Sequence, residues 1–94
     1  MKFSKGILFG SYDAKYGILY LYYKGKNYSY GKEIQDGLVV LRSIETDEVV
    51  GYLIYDFKEK VEKGELDLEQ FDLVFKVTLK ELAKEIQNGS IISW

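Results

Sequence analysis

Two runs rich in β-branched residues, GLVVLRSI (37–44) and VVGYLIYD (49–56), stand on either side of the polar tetrad Glu45-Thr46-Asp47-Glu48. Runs of this kind suit a pleated surface, and so short a polar connection returns the chain antiparallel to itself. A hairpin at this point commits the chain to a sheet.

The sequence before it extends that sheet. Residues 5–12 (KGILFGSY) read as a strand, Asp13 to Gly17 as a turn, 18–23 (ILYLYY) as a second strand, and Lys24-Gly25-Lys26-Asn27 as another turn. Tyr28 to Gln35 is extended in pattern but poor in aliphatics, as an edge strand or a loop would be. The expectation is an antiparallel meander of about four strands over residues 1–57.

After Phe57 the chain changes character. A charged connector at 58–66 leads into an amphipathic segment over 67–88 that reads as a helix. Asp67 with Gln70 resembles a capping box, Glu69 and Asp72 suit the positive end of a helix dipole, and Lys76, Lys80 and Lys84 follow later. Asn88-Gly89 supplies a stop. Leu68, Phe71, Phe75, Leu79, Leu82 and Ile86 share one helical face, which should pack on the sheet. Residues 71–79 (FDLVFKVTL) also alternate with period two, so a strand reading stays open beside the helix. The fold class expected is α+β, a single domain over 1–94.

Leu73, Val74 and Val77 make the helix more apolar than one stripe requires, and both faces of strand 18–23 are mainly apolar. A 94-residue domain buries only about 60–65% of its unfolded surface, so a second copy would supply useful packing area. A homodimer is therefore expected, with Leu73, Val77 and the terminal Trp94 as contacts to the second copy or to another protein.

The chemistry available is narrow. Histidine and cysteine are absent and Arg42 is the single arginine, which removes imidazole catalysis, thiolate nucleophiles, the usual zinc ligands and bidentate phosphate clamps. Asp13, Glu33 and Asp36 flank strands and could hold a hard cation only if they converged; Asp13 and Asp36 stand in turn sequences where aspartate bonds its own backbone. The glycines are too widely spaced for a phosphate cradle. No enzyme activity, cofactor or metal is expected.

Tyr20, Tyr22, Tyr28 and Tyr30 lie among Lys24, Lys26 and Lys32, a combination that can stack bases while the ammonium groups meet phosphates. Tyrosine is also a strong strand former suited to half-buried interfaces. The net charge of −2 divides unevenly: residues 1–44 carry seven basic and three acidic groups, residues 45–94 six basic and twelve acidic. Halves of opposite sign can complement each other across a fold or a dimer. Packing within the sheet or at a protein interface is the principal reading of these tyrosines, with single-stranded nucleic acid and then a small ligand as the other readings. The function expected is protein contact, with single-stranded nucleic-acid binding as the alternative.

The N-terminal apolar run Ile7 to Phe9 is shorter than a signal-peptide core, no segment reaches membrane-spanning length, and no cysteine points to an oxidising compartment. A cytoplasmic location away from membranes is expected. Lysine and glutamate enrichment with only five Asn and Gln residues leans toward a heat-adapted source.

Over residues 9–57 the order of elements resembles the domain of unknown function 2283 family of small prokaryotic proteins. Its pattern is a Tyr-Asp, a Leu-Tyr-Ile-type strand, an acidic Asp-Gly-Ile/Val run and a closing Gly-Ile-Glu-Ile strand. Here these read Tyr12-Asp13, Leu19-Tyr20-Leu21, Glu33-Ile34-Gln35-Asp36-Gly37-Leu38-Val39-Val40 and Gly51-Tyr52-Leu53-Ile54. Leu53 stands where the family has Glu, so no role of that Glu transfers. The resemblance implies a small curled sheet and a protein partner encoded nearby, in the manner of an antitoxin.

Overall fold

The computed structural model describes residues 2–25 and 28–87. Its strands are β1 (Lys2–Lys5), β2 (Leu8–Asp13), β3 (Ile18–Tyr23), β4 (Ser29–Gln35), β5 (Leu38–Ser43) and β6 (Val49–Ile54). They are followed by α1 (Phe57–Glu62), a 3-10 turn at Leu68–Gln70 and α2 (Leu73–Gln87). The class is α+β, with an antiparallel sheet and a C-terminal helix.

The sheet has six strands in the order β1-β2-β3-β6-β5-β4, which corrects the four-stranded meander. Two three-stranded meanders meet along β3 and β6. The apolar segments ILYLYY, VVGYLI and LVVLRS take central places. The polar segments KFSK and SYGKEIQ take the edges, where charged side chains also discourage stray pairing.

The strand expected over 5–12 is two strands, because Gly6 adopts φ 58 and folds Lys2–Lys5 back on β2. That conformation is strained for any residue with a side chain. At the seam between β3 and β6, Gly51 stands where no side chain fits. A Cβ there would lie 2.6 Å from the Leu21 carbonyl oxygen and 2.8 Å from Tyr22 Cβ.

Residues 71–79 belong to the helical layer, and burial follows the helical period. Phe71, Phe75, Leu79 and Leu82 are buried, while Leu73 and Val77 are exposed. The buried side chains meet Leu8, Leu19, Leu21, Leu38, Val40, Tyr52 and Ile54 from one sheet face in a single core. Tyr52 packs edge-on against Phe71 and Phe75 at 4.7 and 5.0 Å between ring centres.

Two boundaries differ from expectation. The charged connector contains α1, whose Phe57 and Val61 are buried four residues apart while Lys63 pairs with Glu59 on the solvent side. The Asp67 motif caps the 3-10 turn and not the long helix: Asp67 Oδ1 accepts from the Glu69 N–H at 3.0 Å, and Gln70 Nε2 donates to the Asp67 carbonyl at 3.0 Å. The long helix then begins at Leu73. The expected stop at Asn88-Gly89, Trp94, and the turn residues Lys26 and Asn27 lie outside the described residues.

The turn before β3 is tied to the helical layer. Asp13 Oδ1 accepts from the N–H groups of Lys15 and Tyr16 at 3.0 and 3.2 Å, the turn role its sequence context implied. The Gly17 carbonyl then accepts from the Phe57 N–H at 2.9 Å, fixing where α1 starts. No helix among the described residues is long and apolar enough to cross a membrane.

Candidate functional site

The helical layer covers one face of the sheet. The other, which we call the open face, is exposed at its rims and at Phe9, half-buried along Tyr20, Tyr22, Val39 and Leu53, and buried at Leu41 and Gly51. Strand registers place two complete rows of side chains across it. One row runs Lys2, Ser11, Tyr20, Leu53, Val39, Glu33; the next runs Ser4, Phe9, Tyr22, Gly51, Leu41, Gly31. The alternation that sends Leu19 and Leu21 into the core sends Tyr20 and Tyr22 out to this face.

The aromatic part lies on β2 and β3. Tyr20 and Tyr22 rings are 4.6 Å apart and tilted, and Phe9 is 5.9 Å from Tyr22. Lys24 Nζ stands 5.0 Å from the centre of the Phe9 ring, within cation–π range. Lys2, Ser4, Phe9, Gly10, Ser11, Tyr20 and Tyr22 enclose an open cleft of about 730 Å3. Burial, and next the adjacent Tyr22, raises the Tyr20 phenol above its ordinary value. The other half of the face is mostly aliphatic, with half-buried Val39 and Leu53 and buried Leu41 beside exposed Gly31 and buried Gly51.

The structure divides the tyrosine and lysine set read from the sequence. Tyr20, Tyr22 and Lys24 share the neighbourhood just described. Tyr30 and Lys32 pair with Arg42 and Val40, on the helix side of the sheet at its β4 edge. Tyr30 donates to Asp47 Oδ1, while Arg42 Nη1 donates to the Asp47 carbonyl at 2.8 Å, so both brace the β5–β6 turn. The bond to Asp47 is also the main reason the Tyr30 phenol is raised. Tyr28 is exposed just before β4, and its carbonyl accepts from the Ile44 N–H at 3.2 Å. Lys26 lies outside the described residues. The four rings therefore do not form one platform.

Lys2, Ser4, Phe9 and Ser11 were missed by the sequence reading. Phe9 and Ser11 alternate with Leu8, Gly10 and Tyr12, which placed them opposite the core, but no local signal set them beside Tyr22 and Tyr20. That adjacency comes from strand pairing.

A second uncovered apolar surface is the outer ridge of α2. Leu73, Val74 and Val77 are 72%, 36% and 49% exposed. Among the described residues no three carboxylates gather closely enough to hold a metal ion; Asp13 ends β2, while Glu33 and Asp36 belong to the opposite edge of the sheet. What the open face offers chemically is ring stacking, apolar contact and charge at its rims.

The buried phenols carry a prediction. Tyr12, Tyr20, Tyr23 and Tyr52 are all raised above the ordinary tyrosine value, each chiefly by burial. Neutral phenol is thus favoured in the folded state. The associated stability is full below the unfolded tyrosine value of about 10 and falls as pH rises through the higher folded values. The share of the tyrosinate absorbance that these four contribute should rise late and together with loss of the circular dichroism signal. Ionisation of all nine tyrosines in a still-folded chain at about pH 10 contradicts this account.

Comparison with protein-family models, with curated proteins and with solved structures found no match for this chain.

Proposed function

We propose that this chain is a small non-enzymatic binding or regulatory protein that acts as a homodimer through contact with another protein. The observation that carries the reading is that both outer surfaces of the two-layer fold bear uncovered apolar side chains. These are exposed Phe9 with the half-buried Tyr20, Tyr22 and Leu53 on the open sheet face, and exposed Leu73, Val74 and Val77 on α2. Contiguous exposed apolar area of this kind marks interaction surfaces, and tyrosine serves such surfaces because its ring is apolar and its hydroxyl tolerates water. The resemblance of residues 9–57 to the domain of unknown function 2283 family agrees with a cytoplasmic partner encoded nearby, in the manner of a toxin–antitoxin pair.

Single-stranded nucleic acid is the second reading, favoured by Lys24 over Phe9 beside the Tyr20 and Tyr22 rings. Against it stand the separation of Tyr30 and Lys32 from that cluster and the acidic surplus of the whole chain.

One pair of measurements separates the two. The protein encoded beside this chain should co-purify with the wild type and be lost with the Leu73→Asp/Val77→Asp variant. A labelled single-stranded oligonucleotide at low salt should show no binding. Micromolar, salt-sensitive affinity for the oligonucleotide that falls on Tyr22→Ala reverses the ranking.

A further inference from the structure

We infer that a second copy of this chain occupies the open sheet face, with the two sheets face to face, their strands aligned, and β1 of each copy lying over β4 of the other. This rests on the homodimeric reading above and adds which surface is used and in which orientation.

Two sheets stacked about 10 Å apart with strands nearly aligned are a standard packing. A two-fold axis between them can run along the strands or across them. An axis along the strands keeps each residue's height and reverses the strand order. The first row then meets its own reverse: Lys2 lies over the partner's Glu33, Ser11 over the partner's Val39, and Tyr20 over the partner's Leu53. In the second row Ser4 lies over the partner's Gly31, Phe9 over the partner's Leu41, and Tyr22 over the partner's Gly51.

Charge selects this axis, and the placing of the rings agrees with it. The first row carries exposed Lys2 at one rim and exposed Glu33 at the other, so reversal pairs opposite charges at both edges of the interface. The rings of Phe9, Tyr20 and Tyr22 stand on β2 and β3, whereas β6 and β4 contribute Gly51 and Gly31. Reversal lays the half that bears the rings on the aliphatic half of the other copy, where Val39 and Leu53 are half-buried and Leu41 and Gly51 are buried. An axis across the strands keeps β1 over β1 and β4 over β4. It brings the two Lys2 residues to one rim and lays rings over rings.

Because the sequence contains no cysteine, introduced thiols report the arrangement without background. Lys2→Cys chains mixed with Glu33→Cys chains should be joined by a short bifunctional maleimide into a species of twice the 10.9 kDa chain mass. Either variant alone should give at least about fivefold less. Lys2→Glu and Glu33→Lys should each weaken dimerisation several-fold, and the double variant should return to within about twofold of wild type, because opposite charges again meet.

Efficient self-joining of Lys2→Cys chains indicates the axis across the strands and overturns the inference. So does efficient joining through Leu73→Cys with none through the mixed pair, which indicates dimerisation on α2. A monomer in sedimentation that still captures its partner through Leu73 and Val77 also overturns the inference while leaving the contact-protein reading intact. The mixed-pair product without any partner capture supports the inference and removes that reading.

Discussion

Deletion of residues 58–94 is expected to leave a sheet that unfolds or aggregates. The deletion removes Val61, Phe71, Phe75, Leu79 and Leu82, all buried, and uncovers the core face formed by Leu8, Leu19, Leu21, Leu38, Val40 and Ile54. At roughly 1.5–3 kcal/mol per buried large side chain, five of them account for about 7–15 kcal/mol, comparable to the whole net stability of about 5–15 kcal/mol of a small domain. The loss shows as a missing cooperative transition in circular dichroism and as aggregates in size exclusion. A soluble, cooperatively folding 1–57 fragment would mean that the helical layer is a detachable arm.

Phe75→Ala should be the most damaging single substitution in that layer. Phe75 is 0% exposed and its ring meets Tyr23 and Tyr52 edge-on at 4.9 and 5.0 Å. Truncating a buried phenylalanine costs about 3–5 kcal/mol, since the transfer energy is lost and a cavity remains. In a domain of this size the melting temperature should fall by about 12 °C or more, with an unchanged denaturant slope. Leu73→Ala, two residues earlier and 72% exposed, is the control and should change stability by less than about 0.5 kcal/mol. Comparable losses at the two positions would mean that α2 does not sit on the sheet through the face described.

The contrast between these two residues also shows what local pattern can carry. The helical period of Phe71, Phe75, Leu79 and Leu82 was legible because each spacing is a property of neighbouring residues. So was the β5–β6 hairpin, whose polar turn sits between two apolar runs. Strand order was not legible. Nothing in ILYLYY states that its partner is VVGYLI, on the far side of β4 and β5 in the sequence, because that pairing joins residues far apart along the chain. The short α1 was hidden because only Phe57 and Val61 turn inward, and a segment rich in lysine and glutamate looks like a solvated link until that four-residue spacing is noticed.

The candidate site shows the same division. Tyr20 and Tyr22 were identified as one side of a strand by alternation alone. Separating Tyr30 and Lys32 from them required the register of β4 against β5, and adding Phe9 and Lys2 required the pairing of β2 with β3 and of β1 with β2. A surface assembled from several strands is a non-local property, so sequence proximity overstated one grouping and concealed another.

The seam between β3 and β6 also governs how the chain must fold. Each three-stranded half is held by hairpins between sequence neighbours, but Leu19 meets Ile54 across the whole stretch of chain that holds β4 and β5. Local hairpins close in about 1–10 μs, whereas joining the halves carries the entropy of a long loop and sets a slower scale. The segment 24–28 therefore acts as a kinetic tether, and lengthening it should slow folding more than it lowers stability. Substitutions along Leu19, Leu21, Tyr52 and Ile54 should mark the rate-limiting step, while those within the β1–β2 hairpin should mainly change unfolding.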